Sequence, residues 1–236
     1  MSFFRRSRVE EVKELYGLPL EKGEAVLMYL GYSGIVLRAV DKAIAFDVAD
    51  LLKSEEIEAI EKLDALLFTH DHSDHYRSKE AAEIFEATKA HVVAEPRVSQ
   101  DLEGKISPDK LTRADPGETY GIDEFQVSVL SGIHRGPINL YHVKIDELSV
   151  FHGGDSGYVP VKDYPADLAF LPTGAPSPTA SPEFALKMVV ELKPKTVVTI
   201  HGTGAQHEEL QRKTGEKLPE TNVVIPKRYS PLKIKL

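Results

Sequence analysis

The segment Thr69-His70-Asp71-His72-Ser73-Asp74-His75 places three of the chain's nine histidines and two aspartates within six consecutive positions. Imidazole nitrogens and carboxylate oxygens together suit a borderline divalent cation; zinc (Zn2+) is the first choice, and manganese (Mn2+) or iron (Fe2+) can take the same donors. The chain has no cysteine, so any ligand must be nitrogen or oxygen, and disulfides are excluded. A single histidine in a polar loop is more often merely hydrated, but a cluster this dense reverses that weighting. Alternate side chains of an extended segment share a side, so His70, His72 and Asp74 can converge, whereas His75 joins them only if the chain turns. Such a turn divides the set between two metals.

The cluster resembles the His-x-His-x-Asp-His signature of the metallo-β-lactamase superfamily. Later positions follow the same order of motifs: His134 after Phe125-Gln126-Val127-Ser128-Val129-Leu130-Ser131-Gly132, Asp155 closing Phe151-His152-Gly153-Gly154-Asp155, and His201 after Thr196-Val197-Val198-Thr199-Ile200. Asp47, closing Ala43-Ile44-Ala45-Phe46, matches the family's first motif. The resemblance covers about residues 25 to 205. It implies that His70, His72 and His134 hold one divalent ion, that Asp74, His75 and His201 hold a second, and that Asp155 bridges both. It also implies a fold of the α/β (α+β) class, a four-layer αββα sandwich. Gly31-Tyr32-Ser33-Gly34 and Phe151 to Asp155 are similar to the branch of small hydrolases related to ascorbate-phosphate lactonases and N-acyl-phosphatidylethanolamine phospholipases. Tyr32 stands where many of that branch carry histidine.

Two divalent ions about 3.5 to 4 Å apart can share one water and lower its pKa toward neutrality. The expected activity is therefore hydrolysis of a small ester, lactone or phosphodiester by a metal-bridging hydroxide, with Asp74 as the catalytic group that orients the water. Two dications offset by Asp74, Asp155 and hydroxide leave roughly one positive charge, a weak attraction for an anionic substrate. Arg135 and Lys162 could extend it, although exposed charges without a motif more often serve solubility. His152, three residues before Asp155, is placed to orient a ligand. His91, His142 and His207 fall in ordinary strand and helix patterns and are read as surface or satisfied interior residues. Two alternatives compete: a TIM-barrel amidohydrolase, which also uses a His-x-His pair, and a metal-binding or sensing protein of the same fold without efficient turnover.

Each proposed ligand follows a run of four to six residues rich in Val, Ile, Leu, Ala or Phe, so the strands that carry them should end on one rim. Strands are predicted over Ala25 to Leu30, Ile35 to Val40, Lys42 to Phe46, Ala65 to Phe68, Ala90 to Ala94, Phe125 to Leu130, Leu140 to Ile145, Leu148 to Phe151, Asp167 to Leu171 and Thr196 to Ile200. An amphipathic opening spans about Val9 to Leu18, and helices are predicted over Ser54 to Lys62, Ser78 to Thr88 and Pro182 to Leu192. The Pro-rich stretch from Pro172 to Pro182 reads as a loop bordering the metal rim, and the whole of 1–236 as one domain.

Composition sets the outer limits. The 42% hydrophobic content supports a large core, and no apolar run is long enough to span a bilayer. Met1 to Arg8 is basic but precedes no hydrophobic signal core, so a cytoplasmic home is expected. With 29 basic and 37 acidic residues the net charge is −8, which would repel a phosphate backbone, so no nucleic-acid partner is expected. A small-molecule substrate fits better. The sequence carries no signal of oligomeric state.

Overall fold

The computed structural model describes residues 6–39 and 41–236. Of the features named above, Met1 to Arg5 and Val40 lie outside the described residues. The first half of the chain forms β1 (Glu24–Gly31), β2 (Gly34–Ala39), β3 (Lys42–Phe46), β4 (Ala65–Phe68), β5 (His91–Ala94) and β6 (Leu111–Arg113), with helices α1 (Arg8–Gly17), α2 (Ser54–Ile57), α3 (Ser78–Thr88) and α4 (Pro96–Leu102). The second half adds β7 (Thr119–Ile122), β8 (Phe125–Ser131), β9 (Asn139–Ile145), β10 (Leu148–His152), β11 (Leu168–Pro172), β12 (Thr196–Ile200), β13 (Asn222–Val224) and β14 (Leu232–Lys235), with α5 (Pro182–Leu192) and α6 (Gly204–Lys217).

The strands make two seven-stranded mixed sheets, ordered β14-β1-β2-β3-β4-β5-β6 and β13-β12-β11-β10-β9-β8-β7. Three apolar clusters hold them together. Val26, Met28 and Leu30 of β1 face the layer of Val12, Leu15, Ile84 and Phe85, whereas Ala25, Leu27 and Tyr29 face the second sheet through Val127, Tyr141, Phe170 and Val198. The two-residue period thus buries both faces of the strand, which is why it reads as a continuous apolar run. A third cluster, Phe151, Leu171, Met188, Val189 and Leu210, seats α5 and α6 on the outer face of the second sheet. The result is the αββα order of layers. Two open sheets, not a closed barrel, exclude the amidohydrolase alternative.

Pairing directions decide where the ligand loops meet. β1 and β3 each run antiparallel to β2, and β3, β4 and β5 run parallel, so the carboxyl ends of β1, β3, β4 and β5 share a rim. In the other sheet β8 and β10 are both antiparallel to β9, and β10, β11 and β12 are parallel, so their carboxyl ends also coincide. Bonds that join the two rims include Asn139 N–H to the Thr69 carbonyl at 2.9 Å, Tyr141 hydroxyl to the Phe68 carbonyl at 2.7 Å, Ser33 hydroxyl to the Gly154 carbonyl at 2.9 Å and His201 N–H to the Tyr32 carbonyl at 2.8 Å.

The spans expected for β3, β4, β12, α3 and α5 coincide with the structure. The helix expected over Ser54 to Lys62 does not. It ends at Ile57 and tightens into i to i+3 bonds from Ala59 and Ile60, because the chain must turn back within a few residues for Asp64 to bond Ala43 and start β4. Helices α4 and α6 and the edge strands β6, β7, β13 and β14 were not expected. Helix α6 buries only His207, Leu210 and Thr214, too sparse an apolar stripe to stand out, although Thr203 and Gln206 form a capping box at its start.

Glu80 of α3 is buried; one carboxyl oxygen accepts the Leu52 N–H at 2.9 Å, and the other has no described partner. Burial pushes its carboxyl from 4.5 up to about 8. The folded chain therefore holds a proton there that the unfolded chain has released, and stability is lost as pH rises between those two values. Glu80→Gln removes this titration. Urea unfolding should find the variant more stable than wild type at pH 9, by on the order of a few kcal/mol, with the gap closing by pH 5; a gap independent of pH would contradict this.

Candidate metal centre

All seven residues expected as ligands converge on the shared rim. His70, His72 and His134 form one group whose donor atoms lie within 4.8 Å of one another; Asp74, His75 and His201 form another; and Asp155 joins His70 and His75 in a third between them. The turn that His75 required is present: the His72 carbonyl accepts the N–H groups of His75 and Tyr76, each at 2.9 Å, and swings His75 inward. Asp155 sits among four rings. One oxygen is 3.7 Å from His70 Nε2, and the other is 3.4 Å from His134, 3.7 Å from His201 and 3.9 Å from His75.

The ring orientations follow from bonds on the outer side. His70 Nδ1 donates to the Thr69 hydroxyl at 3.0 Å, His75 Nδ1 to Asp47 at 2.8 Å, His134 Nδ1 to the Thr179 hydroxyl at 3.0 Å and His201 Nδ1 to the Gly174 carbonyl at 3.3 Å. In the tautomer that protonates Nδ1, each ring leaves Nε2 facing inward as an electron-pair donor. His72 instead turns Nδ1 inward, 3.1 Å from His134 Nε2. His70 Nε2, His75 Nε2 and one oxygen of Asp155 are buried without a hydrogen-bond partner. Leaving such atoms unsatisfied costs about 1–3 kcal/mol each, and a divalent cation is the species that would use all three. The donor set therefore fits a metal.

Electrostatics point the same way. Burial, reinforced by the neighbouring imidazoles, holds His70 far below its ordinary value and so neutral, the form that ligates. Burial also opposes charge on His75, but Asp47, Asp155 and Asp74 outweigh it and raise the ring's affinity for a proton. The cleft thus attracts a cation at the second group. His201 Nε2 also lies 3.3 Å from Asp74; when that nitrogen carries the proton, its hydrogen bond outweighs burial, lowers the Asp74 carboxyl to about 2 and keeps it ionised.

Asp47 orients this half of the cluster. It is fully buried and accepts the Thr69 N–H at 2.8 Å, the Thr69 hydroxyl at 2.7 Å and His75 Nδ1–H at 2.8 Å. Asp47 (φ 46°), His201 (φ 41°) and Tyr32 (φ 47°) all adopt left-handed backbone conformations, which non-glycine residues hold only where their surroundings impose them. His152 acts on the loop and not on a ligand side chain: Gly154 N–H donates to its Nδ1 at 3.2 Å, its Nε2 donates to the Ser33 carbonyl at 2.9 Å, and its ring stacks on Phe46 at 4.4 Å. The Pro-rich loop does border the rim, through Gly174, Thr179 and the Ser177 hydroxyl that donates to the Asp155 carbonyl at 2.7 Å.

Other residues fall outside the cluster. His91 bonds Thr112, His142 bonds the Pro165 carbonyl and His207 bonds Thr173, so each is satisfied elsewhere. Arg135 is exposed directly after His134, whereas Lys162 is exposed near Glu191. Sequence reasoning missed Thr69, Ser177, Gly174 and Thr179, common residue types whose only signal is their spatial position. Replacing Asp47 by Asn keeps the shape but removes the charge that holds His75. Competition with a chromogenic chelator should show metal affinity weakened about 10–100-fold; an unchanged affinity would remove this role from Asp47.

Residues 43–202 match the model of the β-lactamase superfamily domain. A metal-dependent hydrolase of the UPF0173 group from Pyrococcus horikoshii is 32% identical over 201 residues, covering 75% of this chain and 84% of that protein. A member of the same group from Thermococcus onnurineus is 29% identical over 214 residues, covering 83% and 91%. Among solved structures, the metallo hydrolase Igni18 from Ignicoccus hospitalis superposes with a TM-score of 0.75 at 23% identity, covering 90% of this chain and 99% of that one, a likeness of fold. Matched motifs, relatives and layer order thus agree, and the chain belongs to the metallo-β-lactamase superfamily as one of its metal-dependent hydrolases.

Proposed function

We propose that the protein uses two divalent ions, zinc first among the candidates, to hydrolyse an ester, lactone or phosphodiester of a small metabolite. The observation that carries this reading is the position of Asp155, whose carboxylate lies between two groups of three donors and within 3.9 Å of an inward nitrogen from each. His70, His72 and His134 would hold one ion, Asp74, His75 and His201 the other, and Asp155 both. The ions, when bound, supply Lewis-acid polarisation of the scissile carbonyl or phosphoryl oxygen and activation of water.

The chain's own groups do the rest. Asp74 is half-buried and stays an anion, so it can accept a hydrogen bond from the attacking water and fix its direction. Four of the five rings, those of His70, His75, His134 and His201, are held by threonine, aspartate or backbone partners that do not need to rearrange during reaction, which keeps the site organised for charge that develops there. No serine or cysteine nucleophile is required. Esters and lactones are favoured over phosphodiesters, because the net charge of −8 argues against a nucleic-acid substrate. No helix among the described residues is long and apolar enough to cross a membrane; a cytoplasmic site of action is part of the proposal.

Elemental analysis of purified protein should find close to two divalent ions per chain, and His72→Ala and His201→Ala should each lower that content, because they remove ligands from different groups. Unchanged stoichiometry in both folded variants would sink the assignment. On a panel of lactones, carboxylic esters and phosphodiesters the metal-loaded protein should turn over at least one member. Asp74→Asn should reduce kcat by about 10²–10⁴-fold at matched metal occupancy and thermal stability. Wild-type turnover in that variant would refute the role given to Asp74.

A further inference from the structure

The mouth of the metal cleft has a side that the ligands do not explain. At the β1–β2 turn, Tyr32 is a large aromatic residue left 42% exposed, its ring centroid 5.9 Å from that of His201. Its left-handed backbone is imposed from behind: the Tyr32 carbonyl accepts the His201 N–H at 2.8 Å and the Tyr29 hydroxyl at 3.2 Å. Core packing does not account for a strained, exposed aromatic ring beside a ligand, whereas contact with something entering the cleft does.

Arg228 lies against the same turn. Its segment runs alongside the end of β1, where Tyr229 N–H bonds the Tyr29 carbonyl at 2.8 Å, and its Nε donates to the Leu30 carbonyl at 2.8 Å. The guanidinium rests on Gly31, where a Cβ would meet Nη2 at 2.5 Å; glycine is also suited to the φ of 129° there. Nη2 has only a long contact with the Tyr229 hydroxyl, at 3.4 Å. Among the described residues no carboxylate pairs with this exposed arginine, although acids outnumber bases 37 to 29 across the chain. Arg97 at the same rim, by contrast, faces Asp71 at 3.7 Å. Arg228 is thus anchored through one nitrogen, with its fork left for a planar anion. β1 ends on the rim where β3 and β4 end, so the guanidinium seated on Gly31 lies at that rim, one residue along the chain from Tyr32.

We infer that Arg228, seated on Gly31 and flanked by Tyr32, is a specificity-determining residue that receives a carboxylate or phosphate group carried by the substrate away from the bond cleaved. This rests on the hydrolase reading above and adds the substrate class to it: anionic esters or lactones in preference to neutral ones.

Calorimetry on the metal-loaded protein tests it without turnover. Matched pairs of monoacid and diacid are titrated (butyrate and succinate, pentanoate and glutarate, hexanoate and adipate), each offering one carboxylate to the metals and only the diacids a second group to Arg228. At least one diacid should bind about tenfold more tightly than its partner, and 3-phosphonopropionate beside succinate tells a phosphate preference from a carboxylate one. Arg228→Gln should bring that ratio to about one and leave monoacid binding unchanged. Arg228→Met, which fills the space over Gly31 without charge, should do the same and carries the test if the Gln variant unfolds early. The inference is overturned by a wild type that prefers no diacid, or by a preference that survives in both neutral variants. A panel on which wild type is inert while the diacid preference holds would instead overturn the proposed hydrolysis and leave the anion site standing.

Discussion

Five imidazoles and two carboxylates crowded into one cleft are tolerable only if something positive joins them. Inward nitrogens of His70 and His75 and an oxygen of Asp155 are buried with no hydrogen-bond partner, and Asp155 alone faces four rings within 3.9 Å. In an apolar interior this arrangement is costly in isolation, and it turns favourable when a divalent cation accepts those lone pairs. The remainder of the molecule makes sense as a scaffold for that concentration of donors. All seven candidate ligands come from loops at the ends of β4, β8, β10 and β12, where irregular backbone can gather without interrupting a ladder; His75 needs the turn after His72 as well.

Support for the site lies in groups that never face the metal. Thr69, Asp47, Thr179 and Gly174 each take the outer nitrogen of a ring, which chooses the tautomer and aims the inner nitrogen. Asp47, fully buried, accepts the Thr69 N–H and hydroxyl as well as His75 Nδ1–H, and so joins the end of the first sheet's third strand to the signature loop. Ser33, His152 and Gly154 perform the corresponding service between the sheets, and Tyr32 links the β1–β2 turn to His201. Left-handed backbone at Asp47, His201 and Tyr32 shows that local conformational preference has yielded to these constraints where they converge.

Much of this was legible in the amino-acid sequence, and for a definite physical reason. Ligand chemistry depends on residue type, and strands β3, β4 and β12 are buried on both faces, so their runs of Val, Ile, Leu, Ala and Phe are dense enough to read without a partner, and the predicted spans match the observed ones. The positions of His70, His72, Asp74, His75, His134, Asp155 and His201 at strand ends made a common rim expectable, as did the similarity of their order to the superfamily's motifs. Elements that bury little of themselves were silent: the edge strands β6, β7, β13 and β14 and the polar helix α6.

What only the tertiary structure decided is orientation and pairing between residues far apart in the chain. Nothing in Thr179 as a residue type says that it will hold the Nδ1 of His134, 45 positions away, or that Arg228 will reach the Leu30 carbonyl across 198. Nor could the sequence tell that His152 would bond the Ser33 backbone instead of a ligand side chain, or that the helix begun at Ser54 would stop after one turn so that Asp64 could meet Ala43. Periodicity reports which face of an element is apolar, and residue type reports what chemistry is present. The direction of a ring, the partner of its second nitrogen and the freedom of an arginine fork depend on which distant backbone groups packing brings alongside, and that is fixed only when both sheets have closed on their shared core.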